Sequence, residues 1–131
     1  MANKTTQYKD LNFFFDAHPS TLDVTKKTEQ AAISQSLKNL ILTKNYERPF
    51  HPEIGCQLHS LLFELNWDPI NEFIFKQTII DVINKFEPRI VIIDINVTSD
   101  VDNSQVIVDI YYRLANSDLT LTFSTLINRV R

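Results

Sequence analysis

One glycine and one cysteine in 131 residues are this chain's clearest shortages. Glycine averages about 7% of proteins, so glycine-rich phosphate loops and dinucleotide fingerprints, whose turns need several glycines, are excluded. A single cysteine rules out an intrachain disulfide and fits a reducing compartment. Positive charge is also scarce. Thirteen basic residues against sixteen acidic ones give a net charge of -3, with no basic run able to neutralise many phosphates, so nucleic acid is not an expected partner. No apolar stretch approaches the roughly 20 residues that cross a bilayer. The opening MANKTTQYKD lacks the hydrophobic segment of a signal peptide, so the expectation is a chain kept in a cytoplasm, without a membrane partner.

Apolar residues make up 44% of the chain and charged ones 22%, a balance that supports a packed core rather than disorder. The length fits one domain, taken as 1–131, with 1–27 as a partly extended arm. In that arm Leu11, Phe13 and Phe15 alternate ahead of Pro19, which leaves Phe14 pointing the other way and in need of cover. From Thr28 to Thr43, Ile33, Leu37, Leu40 and Ile41 form one helical stripe. A second short helix carries Leu58, Leu61, Leu62 and Leu65. A third opens with Asp68 as N-cap and Pro69 in its first turn, presents Ile70, Phe73, Ile74, Ile80 and Ile83, extended by Phe75, Ile79, Val82 and Phe86, and must stop before Pro88.

Beyond Arg89 the apolar period falls to two. Val91, Ile93, Ile95 and Val97, then Val106 to Leu114, then Leu119, Leu121 and Phe123 mark three strands of an antiparallel meander. The expected class is α+β, with about three helices in the N-terminal two-thirds packed on a C-terminal antiparallel sheet of three to four strands. The last segment, DLTLTFSTLINRVR, has no proline and no charge between Asp118 and Arg129. At a sheet edge it would be open to a partner's strand; as an inner strand it would not.

Chemistry-bearing residues are sparse. Glu47, Glu53 and Glu64 could form the acid pair of a glycosidase, but such a pair needs one carboxyl with a raised pKa, and sixteen acids yield close neighbours freely. His51, Cys56 and His59, with Glu53, could hold zinc, although the spacing matches no established zinc pattern. Cys56 beside a histidine could be a nucleophile; a small buried thiol at a helix start is the plainer role. No catalytic residue, metal or cofactor is therefore expected. The segment NYERPFHPEIGCQ, residues 45–57, holds the only glycine, the only cysteine and two of the five prolines, which marks a stiff loop between two helices.

Three segments, FFFDAHPSTLDV, ISQSLKNLILTKNYERPFHPEIGCQLHSLLFEL and NKFEPRIVIIDINV, together resemble the baseplate wedge proteins of contractile-tailed phages, which have relatives in type VI secretion baseplates. The resemblance covers about residues 8–115 and is densest in ERPFHPEIGC and FEPRI. It implies a small structural protein of the virion tail baseplate, assembled in the host cytoplasm around the tail tube. Its implied partners are the wedge core proteins and the tail sheath subunit, whose first ring it would template by strand addition at Leu119, Leu121 and Phe123. Glu87, Pro88 and Arg89 match the family's Glu-Pro-Arg motif, implicated in wedge-core docking. Arg48, Pro49, Phe50, Pro52 and Gly55 match its Arg-Pro-Phe-x-Pro-x-x-Gly loop. Arg89 is expected to pair with Glu87 of a neighbour or with Glu47, against a plain internal pair at the helix end. Phe50 is expected to plug its own core with Arg48 outward. Some family members carry a lysozyme label, which keeps a peptidoglycan-degrading enzyme as the alternative beside a type VI secretion counterpart.

Overall fold

The computed structural model describes residues 9–12, 14–23, 26–62, 68–100 and 102–128. Phe13, Glu64 and Leu65 lie outside the described residues. The chain divides into two compact units at Leu37 and Lys38, within its first long helix.

In the first unit β1 (Lys9–Leu11) pairs antiparallel with β2 (Lys26–Thr28), Lys9 opposite Thr28. The expected alternation through Phe15 does not form. Asn12 turns the chain by taking the Phe14 N–H on its side-chain oxygen and donating to Asp16. Phe14 and Phe15 both stand exposed, Phe15 with a φ of 54°. α1 (Gln30–Leu42) begins after Glu29, whose φ of 47° ends the preceding strand. Ala32, Ile33, Leu37, Leu40 and Ile41 are buried along it, as the helical stripe requires.

In the second unit α2 (Leu58–Leu62) buries Leu58 and Leu62. α3 (Pro69–Phe86) starts at the proline because its missing N–H would be unpaired there in any case. Asp68 holds the N-cap position in an extended conformation, but its side chain makes no capping bond; its carbonyl accepts the Glu72 N–H at 3.0 Å. The inward stripe is Phe75, Ile79 and Ile83, spaced by four. Ile70, Phe73 and Ile74, expected on the core face, are exposed. At 100° per residue they lie about 120–180° around the helix from Ile79. An apolar residue set that encircles the helix gives no phase for choosing a face.

The sheet follows as a meander, β3 (Ile90–Asp100), β4 (Gln105–Leu114) and β5 (Thr120–Asn128), ordered β3-β4-β5, with α3 lying against β3. The class is α+β, and the sheet has three strands. β4 alternates cleanly, burying Val106, Val108, Ile110 and Tyr112. In β3 the register shifts between Ile92 and Asp94. Ile93 is therefore an extra residue, and the buried positions become Ile90, Ile95 and Val97, with Val91 and Ile93 outward. Leu119 precedes β5 and is exposed, so the strand's inward face is Leu121, Phe123, Thr125 and Ile127.

Candidate functional site

Three features of the second unit carry the residues singled out in the sequence: the loop after α1, the corner between α3 and β3, and the outer side of β5.

The loop is closed at its base by main-chain bonds. The Cys56 N–H reaches the Thr43 carbonyl at 2.8 Å, and the Tyr46 N–H reaches the Pro52 carbonyl at 2.9 Å, so residues 47–51 stand out from a pinched neck. Gly55 is buried in that base. A Cβ there would lie 2.7 Å from the Lys44 carbonyl oxygen and 2.9 Å from the Asn45 nitrogen, closer than real Cβ atoms come to backbone. The only glycine is where two backbone segments touch. Gly55→Ala is accordingly expected to destabilise by about 1–3 kcal/mol, because neither backbone segment can swing aside. Calorimetry checks this, and an unchanged melting temperature would show that the loop base yields.

Phe50 corrects the expectation of an internal plug: it is 91% exposed. The neck between Tyr46 and Pro52 holds the tip clear of the unit, and the core is filled from the helices and strands instead. Arg48 is outward, as expected. Glu47 does not meet Arg89; its carboxylate accepts the Lys44 N–H at 2.8 Å. His51 Nδ1 and Glu53 Oε1 are 3.1 Å apart on the surface. Glu53's own backbone N–H, and then His51, hold its carboxyl below the usual range, with a weaker pull from Lys85 near the end of α3. That direction is opposite to what a glycosidase acid needs. Among the described residues, no three His, Cys, Asp or Glu side chains are grouped to hold a metal ion.

Cys56 is buried, and burial pushes its thiol up to about 11 from 9.0. A raised pKa favours the neutral thiol, the reverse of a nucleophile's requirement. The folded state holds this proton more tightly, so its contribution is complete below the unfolded value of about 9 and falls away as pH climbs from there toward 11. Cys56→Ala is expected to flatten stability across that window, measured by urea unfolding at stepped pH. A slope that persists in the variant would assign it to other groups.

At the corner, Pro88 ends α3 and the Glu87 N–H caps it on the Ile83 carbonyl at 2.8 Å. Glu87 is 3% exposed. Its carboxylate is gripped by the guanidinium two residues on, with Arg89 Nε on Oε1 and Nη2 on Oε2 at 2.6 Å. The Arg89 carbonyl in turn accepts the Ala115 N–H at 2.9 Å, tying the corner to the end of β4. Arg89 thus takes the carboxylate of its own chain, through a side chain that remains 28% exposed. Adjacency across a proline turn places the fork on the carboxylate before Glu47 could compete.

The two flanks of the sheet differ. β3 carries the Ile93 bulge and, beside it, Asp94, whose Oδ1 takes the Ile95 N–H at 2.8 Å. β5 pairs with β4 in unbroken register from Thr120 to Asn128 and carries no charge. Among the described residues its other side has no strand. The sequence showed its lack of protection but could not place it at an edge; that needed the strand order.

The family profile described as baseplate wedge protein gp25 matches residues 27–118, which include the loop, the corner and the first two strands of the meander. The baseplate wedge protein gp25 of enterobacteria phage T4 is 33% identical over 95 residues, 72% of this chain and 71% of that protein. By structure the chain resembles a protein of Geobacter sulfurreducens described as a tail lysozyme, with a TM-score of 0.72 at 17% identity over 78% of this chain and 92% of that one. It also resembles a chain of the anti-feeding prophage baseplate, with a TM-score of 0.66 at 21% identity over 98% and 90%. At those identities the structural likenesses establish a shared fold. The profile match over most of the chain and the T4 relative together establish that this chain belongs to the gp25 baseplate wedge protein family.

Proposed function

We propose that the protein is a structural part of a contractile tail, carried in the virion baseplate after assembly in the host cytoplasm. In this reading the corner and loop dock on the wedge core proteins around the tail tube, and the open side of β5 seeds the tail sheath. The observation that carries the reading is the asymmetry of the sheet. A strand adds by main-chain hydrogen bonds to an edge that is straight, uncharged and unoccupied. β5 keeps unbroken register with β4, carries no charge and, among the described residues, has no strand on its other side, whereas β3 is bulged, acidic and has committed the Ile95 amide to Asp94. An arriving strand would set its apolar residues in line with Phe123 and Ile127, widening the buried face.

At the corner, Arg89 is the group offered to a partner, with the buried Glu87 holding its plane and Pro88 fixing the turn. Function of this kind is geometric: an edge already aimed lowers the ordering cost of the first sheath subunit. Hydrolysis is the weaker reading, since Glu47 and Glu53 are exposed and Glu53 is shifted toward stronger acidity. Electron microscopy of the cognate sheath subunit on baseplates assembled with and without the protein tests the proposal. Ordered sheath is expected only where the protein is present, and equal growth from both preparations would overturn the seeding role. The type VI counterpart is told apart by genomic neighbours, which would encode a secretion system rather than a phage tail.

A further inference from the structure

The loop holds out two aromatic rings, Phe50 near its tip and Tyr46 at its neck, that the described residues do not cover. Phe50 is 91% exposed and Tyr46 81%. The backbone under them is set before any partner arrives, by the bond from Tyr46 to the Pro52 carbonyl, by two prolines and by Gly55 seated on Lys44 and Asn45. Tyr46 itself has a φ of 66°, a region that bulky residues avoid and that asparagine or glycine enters freely. A tyrosine kept there in solvent works against stability, which is the signature of a residue retained for contact.

The charges around the rings balance, Lys44 and Arg48 against Glu47 and Glu53, but only the carboxylates have partners within the loop. Glu47 is engaged by the Lys44 N–H and Glu53 lies against His51. Lys44 and Arg48 are exposed, and neither has an ion pair among the described residues. The tip is therefore an apolar knob with an exposed arginine beside it, rigid and built from residue types that dominate binding energy at interfaces.

We infer that this knob is the plug of the wedge contact: Phe50, backed by Tyr46, enters an apolar socket on a wedge core protein, and Arg48 meets a carboxylate on the socket's rim. The inference rests on the wedge-docking reading above and adds the inserted residues and the chemistry of the surface that receives them.

The test is affinity for the co-purified wedge core proteins of the same tail, measured beside the melting temperature, for the wild-type chain and for Phe50→Ala, Tyr46→Asn and Arg48→Glu. Phe50→Ala is expected to weaken binding roughly tenfold or more with no loss of melting temperature, as for a central aromatic anchor. Tyr46→Asn is expected to raise the melting temperature while weakening binding. Arg48→Glu is expected to weaken binding, and to remove part of the wild type's salt dependence. Benzoylphenylalanine at position 50 is expected to cross-link to an apolar patch bordered by Asp or Glu. Wild-type affinity in Phe50→Ala, together with loss of binding in a Glu87→Met/Arg89→Met variant, would overturn the plug and leave corner docking standing. A wild-type chain that does not bind the wedge core proteins overturns both. A wild-type dimer that Phe50→Ala converts to monomer would assign the knob to a second copy and overturn the proposal.

Discussion

Replacing Thr122 and Ser124 with lysine is expected to abolish ordered sheath growth while the protein still folds and enters the baseplate. Both residues are exposed on β5, on the side of the strand opposite Phe123 and Ile127. Surface changes of that kind cost within about 0.5 kcal/mol, yet edge lysines are a common natural device against strand pairing, since a new strand would have to desolvate them. Proline at Leu121 or Phe123 is a poorer probe. Phe123 is buried, and the two residues face Tyr112 and Ile110 of β4, so a failure to grow sheath could come from a damaged core. The readout is the fraction of baseplates bearing sheath in micrographs, normalised to the amount of variant they contain. Sheath at wild-type frequency on lysine-bearing baseplates would remove β5 from the seeding surface. Variants that fail to enter the baseplate would place β5 in the wedge contact instead.

The second large effect is on stability. Arg89→Ala takes from the Glu87 carboxylate, 3% exposed, the guanidinium that grips it through two bonds. Breaking a buried pair from one side typically costs about 3–5 kcal/mol, and the partial exposure of Arg89 puts the expectation near the lower figure. Against a total of about 5–15 kcal/mol for a domain, that is a substantial share. Removing both charges is a different experiment. Glu87→Met/Arg89→Met removes both members of the pair and is expected to recover most of the loss. Urea unfolding of the two variants separates structure from docking. The double variant should be folded yet bind wedge core proteins less tightly, because the exposed part of Arg89 is gone. A single variant within about 1 kcal/mol of wild type would make the pair a surface ion pair in effect.

Proline and strict alternation carried most of what was legible in the sequence. Pro69 and Pro88 bracket α3 because each restricts one end of a helix, and β4 is legible because every second residue is apolar. The rest depended on tertiary context. In the run from Ile90 to Ile93 all four residues are apolar, so no pattern betrays the extra residue that reverses the faces at Ile93. The same loss of phase hid the inward stripe of α3. Of the candidate site, Gly55 was visible as a loop glycine with a positive φ or a close approach open to it, and the structure makes both demands, a φ of 157° and the contact with Lys44. Phe50 misled because apolar size argues for burial, whereas here a pinched neck overrides it. Tyr46 carried no signal at all, since nothing in its neighbours announces a left-handed backbone.

The bulge at Ile93 has a consequence for the order of assembly. In polymer terms, a sheet with two usable sides is a bifunctional initiator and can propagate both ways, giving branches or closed clusters of subunits. Blocking one side with an inserted residue and a carboxylate makes it monofunctional. On the seeding reading, each copy then starts one chain of subunits and cannot be reinitiated from behind. The number of starting points is fixed by the number of copies held in the baseplate, and the direction of elongation is settled before the first subunit is added.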